Sequence, residues 1–187
     1  MNTYAPHPGD IGLVPMSGRV GRSIRFGQWL AGDGWTDYQH AFVCAGWLGV
    51  ADGKPDMRII EAMPGGALNS SLTRYDADEI TWLRCPPEYR ASVAAVAARL
   101  VGVPYSFTDY GALALHRFRI PAPHLRRFID SRKSMICSQL CDRAAARGGW
   151  HIFDDGRWSG YVTPNDLGKA ARMQRPGGYV ERVKVSR

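Results

Sequence analysis

Cys137 is the residue of this 187-residue sequence whose position best suits a nucleophile. It stands just before a strongly helix-forming stretch, 138–147, which Gly148 and Gly149 end. In the first turn of a helix, unpaired backbone N–H groups and the macrodipole favour negative charge. Because the thiolate is the nucleophilic form of cysteine, this position predicts a reactive thiol at Cys137.

A thiol nucleophile also needs a base, and His40 and Glu61 could supply one. His40 lies in an alternating, β-rich run, and Glu61 lies in the next run, after a turn that predicts an antiparallel pair. An imidazole beside the thiol favours the thiolate and can later protonate a leaving group. A third polar group must fix the orientation of the ring, which is the role predicted for Glu61.

Other interpretations of the same residues stay open. A thiol in a helix is most often a buried hydrophobic residue, and a histidine on a strand is most often structural. Cys137 and Cys141 lie one helical turn apart. His40 and Cys44 share a strand face, so these four side chains could hold a structural zinc ion, although neither pair has the short spacing of a zinc knuckle. The favoured interpretation has no metal and no other cofactor, with Cys44, Cys85 and Cys141 as buried thiols.

The hydrophobic periodicity predicts the elements that must position these residues. Strands are predicted at 11–14, 38–48, 58–63, 79–84 and 178–185. Helices are predicted at 20–31, 88–101, 108–118, 138–147 and 165–172, with a surface loop at 120–134. This mixture predicts an α+β fold in which an antiparallel sheet packs against helices.

Six sequence pieces between Gly9 and Leu167 carry a resemblance to a known family. In chain order they are GDIGLVP, QHAFV around His40, IIEA around Glu61, GVPYSF with Tyr105, SMICSQL around Cys137, and YVTPNDL. With the histidine and the carboxylate before the cysteine, the chain resembles the permuted NlpC-type papain-like cysteine hydrolases, the YiiX-like group.

The resemblance implies a circularly permuted papain-like fold and a catalytic triad of Cys137, His40 and Glu61. It also implies that Tyr105 lines the site, as an oxyanion or substrate contact. Family members commonly have serine before the histidine and a small residue soon after it. Here Gln39 and Phe42 stand at those places, so the rim of the pocket is expected to differ from theirs.

The length and composition predict one domain, 1–187, with a catalytic body at about 9–172 and a basic C-terminal strand and tail at 173–187. The hydrophobic content of 45% excludes a wholly disordered chain. No apolar run approaches the ~18 to 20 residues that a transmembrane helix needs. The first residues lack the basic start and apolar stretch of a signal peptide, which predicts cytoplasmic synthesis.

The net charge of +7 is concentrated in two blocks. Residues 116–147 hold 8 basic and 2 acidic side chains, a net of +6, and residues 169–187 hold 6 and 1, a net of +5. Such blocks are most often solvated faces, but they also suit an anionic surface such as a cell-wall polymer. Nucleic acid is the less favoured partner, because the tryptophans are not interleaved with the arginines.

Together these observations predict a cysteine hydrolase that cleaves an amide bond, with cell-wall stem peptide as the leading substrate. Reaching the wall without a signal peptide would require delivery in a virion, in contact with phage tail proteins, or release on lysis. The alternative substrates are acyl lipid or acylated protein. A second hypothesis, from a different class, is a non-catalytic virion or binding module that retains the fold.

Overall fold

Five antiparallel strands form one sheet in the computed structural model, within the residues that it describes: 4–16, 37–51, 53–105, 135–156 and 162–174. The strands are β1 (Ile11–Val14), β2 (His40–Ala51), β3 (Lys54–Met63), β4 (Gly66–Ser71) and β5 (Thr81–Leu83). Their order across the sheet is β4-β3-β2-β1-β5. Neighbours in the chain therefore pair from β1 to β4, and β5 returns to the other edge of β1.

Three helices of the described residues pack with this sheet: α1 (Arg90–Arg99), α2 (Cys137–Arg147) and α3 (Pro164–Met173). Proline at the first helical position starts α3, and Thr163 and Asp166 form a capping box there. At the start of α2, the backbone N–H of Ile136 donates to Gln139 Oε1 at 3.1 Å. The fold is therefore α+β, a five-stranded antiparallel sheet packed against three helices.

Because side chains alternate in direction along the strands, the strands contribute to two separate apolar clusters. The larger one joins the sheet to the helices, and it includes Ile11, Leu13, Ala41, Val43, Ile60, Val93, Leu140 and Leu167. The smaller one contains Val14, Phe42, Ile59 and Ile80, with Leu72, Tyr75 and Trp82 packed against it. In this smaller cluster the ring of Phe42 lies so close to Gly12 that a Cβ atom there would overlap it. Glycine in β1 therefore makes room for an aromatic ring on β2.

The N-terminal segment is fixed by one buried carboxylate, that of Asp10. Its Oδ2 accepts hydrogen bonds from Tyr4 Oη and from the His7 backbone N–H, both at 2.7 Å. Its Oδ1 accepts the backbone N–H of Cys85 at 2.8 Å. Asp10 thereby ties the residues before β1 to the residues after β5.

Most sequence predictions that fall on the described residues are confirmed. The strands predicted at 11–14, 38–48, 58–63 and 79–84 correspond to β1, β2, β3 and β5, and the helices predicted at 88–101, 138–147 and 165–172 correspond to α1, α2 and α3. Strand β4 was not predicted. The predicted helices 20–31 and 108–118, loop 120–134 and strand 178–185 lie outside the described residues. In the part of the chain that is described, no helix combines the length and apolar character needed to cross a bilayer.

Candidate active site

The first residue of β2 and the first residue of α2 meet. The imidazole of His40 and the thiol of Cys137 share a hydrogen bond. Both side chains are shielded, since His40 is 2% exposed and Cys137 is 1% exposed. The two residues are far apart in sequence, so the packing of α2 on the sheet produces this contact.

The pairing of β2 with β3 brings Glu61 to the other side of the imidazole. Phe42 is directly opposite Glu61, so His40 is diagonal to Glu61 on the same face of the sheet. The Nε2 atom of His40 lies 2.8 Å from Glu61 Oε2. Because Nε2 is used in this way, Nδ1 is the ring nitrogen left for the thiol of Cys137. The three residues predicted as a triad are therefore brought together in the order Cys137, His40, Glu61.

A short turn after β4 places two further donors on Glu61. Arg74 Nη1 lies 3.1 Å from Glu61 Oε1 and 2.8 Å from Ser70 Oγ. Tyr75 Oη donates to Glu61 Oε2 at 2.5 Å, which is the oxygen that His40 also contacts. Glu61 is fully buried, so these contacts satisfy a carboxylate that water does not reach.

The turn that carries Arg74 and Tyr75 is fixed by its own hydrogen bonds. A 3-10 helix spans Leu72–Arg74, and Ser71 caps it by accepting the N–H of Thr73 at 3.2 Å. Ser71 Oγ in turn donates to Asp56 Oδ2 on β3 at 2.7 Å. The chain is thus held back against β3, the strand that carries Glu61.

The ring of Tyr75 is positioned by aromatic packing. It stacks on the ring of Phe42, with centroids 5.1 Å apart and planes 16° apart, and it lies 6.1 Å from the ring of His40. Phe42 is itself fully buried over Gly12. Strand β1 therefore takes part in shaping the site, although it supplies no polar side chain to it.

Glu61 and His40 have the charges of a carboxylate beside an imidazolium. Burial alone would raise the pKa of Glu61, but hydrogen bonds from His40 and Tyr75 outweigh it and lower the pKa to about 2. Burial alone would lower the pKa of His40, but its hydrogen bonds with Cys137 and Glu61, with their negative charges, raise the pKa to about 9. At neutral pH His40 is therefore a cation next to the thiol, which favours the thiolate.

The remaining cysteines have a different environment. Burial is the main cause that raises the pKa of Cys44 and of Cys85 to about 12, and burial also raises the pKa of Cys141 well above its ordinary value. All four cysteines lie in the described part of the chain, and none of them forms a disulfide. Cys137 is the one that the His40 imidazole contacts.

The start of α2 gives Cys137 a second source of stabilisation. The N–H groups of the first helical turn have no partner within a helix, and they favour a nearby anion. Ser138, the next residue, donates from Oγ to the Val162 carbonyl at 2.7 Å, which ties this turn to the residues before α3. The predicted helix-start position of Cys137 is confirmed.

Tyr105, the predicted oxyanion or substrate contact, lies beside the segment that leads into Cys137. It forms an isolated parallel bridge with Met135, two residues before Cys137. The Met135 N–H donates to the Pro104 carbonyl at 3.0 Å. Tyr105 is partly buried and packs against the larger core cluster. Its role as an oxyanion contact stays a prediction.

Two functional candidates, Arg74 and Tyr75, were missed by the sequence reasoning. The stretch SLTRY contains a cap and a turn, but nothing in its composition indicates that it folds over Glu61. Their contact with Glu61 arises from the return of the chain after β4, so it depends on the tertiary structure.

The zinc alternative gains no support, since no group of three or more His, Cys, Asp or Glu residues in the described stretches could hold a metal ion.

Comparison of the chain with protein-family models, with curated proteins and with solved structures finds no match.

Proposed function

We propose that this protein is a cysteine hydrolase that cleaves an amide bond through an acyl-enzyme, with a circularly permuted papain-like fold of the NlpC type. The observation that carries the proposal is the chain of contacts from Cys137 through His40 to Glu61. It contains a nucleophile, a base in contact with it, and a buried anion that orients the base, which are the three parts of nucleophilic catalysis.

The order of these residues supports the permuted form of the fold. His40 and Glu61 lie on two strands that precede the helix of Cys137, and the helix begins at the cysteine itself. A thiol at a helix start that faces an imidazole on a sheet is the arrangement that the family resemblance implies.

In the proposed reaction, the Cys137 thiolate attacks the carbonyl carbon and forms a C–S bond. The C–N bond breaks as the His40 imidazolium gives its proton to the leaving nitrogen, which leaves a thioester on Cys137. A water molecule then attacks the thioester and gives one proton to His40. The C–S bond breaks, the acid product is released, and the thiolate–imidazolium pair of Cys137 and His40 is regenerated. The Cys137 backbone N–H and Tyr105 are the proposed donors to the oxyanion.

Cell-wall stem peptide is the proposed substrate, because NlpC-type hydrolases cleave such amides and the two basic blocks suit an anionic wall. Acyl lipid or acylated protein would use the same triad, since an ester or thioester carbonyl is attacked in the same way. Delivery to the wall in a virion or on lysis is part of the proposal.

Mass spectrometry of muropeptides tests the proposal. Purified peptidoglycan is incubated with the wild-type protein and with Cys137→Ala, and a model acyl ester and an acylated peptide are treated in parallel. We expect new peptide fragments with the wild type and none with Cys137→Ala. Cys141→Ala is the matched control, because it removes a buried thiol one turn away that lies outside the triad.

If only the acyl substrates were cleaved, the proposed triad would stand and the proposed substrate would change from cell-wall peptide to an acyl ester or acylated protein. Equal results from the wild type and Cys137→Ala on every substrate would overturn the hydrolase and leave the non-catalytic binding module.

A further inference from the structure

We propose that Tyr75 is a positioning residue that holds the carboxylate of Glu61 in place for His40. The inference rests on the proposed function, because positioning has a catalytic meaning only if His40 acts on Cys137. It adds a fourth side chain, from the turn after β4, to the three that the sequence predicted.

The first argument is that one oxygen of Glu61 has two donors. Oε2 accepts from Tyr75 Oη at 2.5 Å and contacts His40 Nε2 at 2.8 Å, while Oε1 contacts Arg74 Nη1 at 3.1 Å. A carboxylate held at both oxygens cannot rotate about its last bond without breaking contacts. The direction from which Oε2 meets the imidazole is therefore fixed.

The second argument is that Tyr75 is itself held rigidly. Its ring stacks on Phe42, and the ring of Phe42 rests on Gly12 without space for a Cβ atom between them. A donor carried by a packed ring loses little freedom when it forms its hydrogen bond. A site of this kind depends on support from packed neighbours such as these.

The third argument concerns charge. Burial, and then the hydrogen bond to Glu61, raise the pKa of the Tyr75 phenol, so it stays protonated and acts as a donor. A phenol that donates to Oε2 stabilises the ionised form of Glu61. The ionised form is the one that stabilises a His40 imidazolium.

Arg74 contributes less than Tyr75. The side chain of Arg74 is 53% exposed, so water and salt screen its ion pair with Glu61. The Tyr75 hydroxyl donates at 2.5 Å to Oε2, the oxygen that His40 contacts, whereas Arg74 lies 3.1 Å from the other oxygen, Oε1. We therefore assign the main positioning role to Tyr75.

Tyr75→Phe tests the proposal because it removes the hydroxyl and keeps the stacked ring. The titration midpoint of Glu61 is read from its side-chain carboxyl resonance by carbon-13 NMR. We expect the midpoint to rise by about 1 to 2 pH units, since a hydrogen bond to a charged group is lost. Arg74→Gln should raise it by less.

Tyr4→Phe is the matched control. It removes a tyrosine hydroxyl that donates to another buried carboxylate, Asp10, at 2.7 Å. It should leave the Glu61 midpoint unchanged. An unchanged midpoint in folded Tyr75→Phe would overturn the proposal.

The reactivity of Cys137 gives a second readout that a purely structural role would not produce. Dipyridyl disulfide, which still reacts with thiolates at acid pH, is used between pH 4 and pH 7. In Tyr75→Phe the rate should fall most at pH 4, where Glu61 becomes partly protonated, and approach the wild-type rate at pH 7. A loss of equal size at every pH would indicate general disruption and overturn the proposal.

These measurements separate the inference from the proposed function. If wild-type Cys137 proved unreactive and no substrate were cleaved, the hydrolase would fail. The Glu61 midpoint would still decide whether Tyr75 holds the carboxylate.

Discussion

His40 Nε2 and Glu61 Oε2 lie 2.8 Å apart because the two residues occupy diagonal positions on paired strands. The partner directly across from Glu61 is Phe42, and the ring of Phe42 fills that place with a stacked Tyr75 above it. The sheet register therefore assigns the polar contact to His40 and the apolar support to Phe42. A register slip of one residue would turn His40 to the opposite face.

Selective labelling of Cys137 is the first prediction. Iodoacetamide at pH 6 should modify Cys137 and leave Cys44, Cys85 and Cys141 unmodified in the folded protein. All four thiols are buried, so the selectivity must come from ionisation, which burial opposes at the other three. Peptide mass spectrometry after a short exposure measures it.

Two controls accompany the labelling. In guanidinium all four cysteines should react, because unfolding removes their different environments. His40→Gln should slow the labelling of Cys137 in the folded protein by removing the imidazolium. Equal labelling of Cys137 and Cys85 in the folded wild type would contradict an activated thiol.

The charge of Glu61 is the second prediction. Glu61→Gln keeps the size of the side chain but removes the negative charge beside His40. We expect kcat to fall by about 10²–10⁴-fold on a substrate that the wild type cleaves, which is the range for losing acid–base catalysis. The unfolding temperature of the variant shows whether it is folded. A kcat within twofold of the wild type in folded protein would disprove the role of the Glu61 charge.

The pH dependence of stability is the third prediction. The pKa of His40 is raised from 6.5 to about 9, so its contribution to stability is fully present below pH 6.5 and lost as the pH rises through 9. The pKa of Glu61 is lowered from 4.5 to about 2, so its contribution is present above pH 4.5 and lost as the pH falls through 2.

The difference in unfolding free energy between wild type and Glu61→Gln should therefore be largest between pH 4.5 and 6.5. It should decrease towards pH 9 by at most about 3 kcal/mol, the equivalent of the whole His40 shift. Urea titrations at several pH values measure it. A difference that grows between pH 6.5 and pH 9 would contradict the assigned charges.

The contact between Gly12 and Phe42 gives the fourth prediction. Gly12→Ala would place a methyl group into the Phe42 ring, and overpacking of this kind costs about 1–3 kcal/mol. It should also slow the labelling of Cys137, because Phe42 supports Tyr75. Phe42→Leu in the same chain should reduce the cost of Gly12→Ala, and strictly additive effects in this double-mutant cycle would refute the coupling.

The sequence predicted the main elements because they depend on local patterns, and the family resemblance joined Cys137 to His40 and Glu61 as a triad. Alternation identified β2 and β3, and the turn between them identified their pairing, which is enough to place Glu61 beside His40. Helix-forming composition and the two glycines after Arg147 identified α2, which is enough to place Cys137 at a helix start.

Strand β4 and the contacts of Tyr75 could not be predicted in the same way. Gly66–Ser71 has one large apolar residue, Leu68, among small and polar residues with weak strand preference, and it becomes a strand because β3 offers it an edge. The contact of Tyr75 with Glu61 relies on the pairing of β4 with β3 and on the packing of Phe42 against Gly12. Such contacts depend on tertiary structure that no local pattern records.

The positions of the site residues along the chain also have a consequence for biosynthesis. His40 and Glu61 lie on the meander of strands from β2 to β4, and Tyr75 lies in the turn that follows β4. Cys137 begins a helix more than 60 residues after Tyr75. A ribosome therefore releases the acid–base half of the site before it releases the thiol. The thiol meets its imidazole only when α2 docks, so a nascent or truncated chain lacks an activated cysteine.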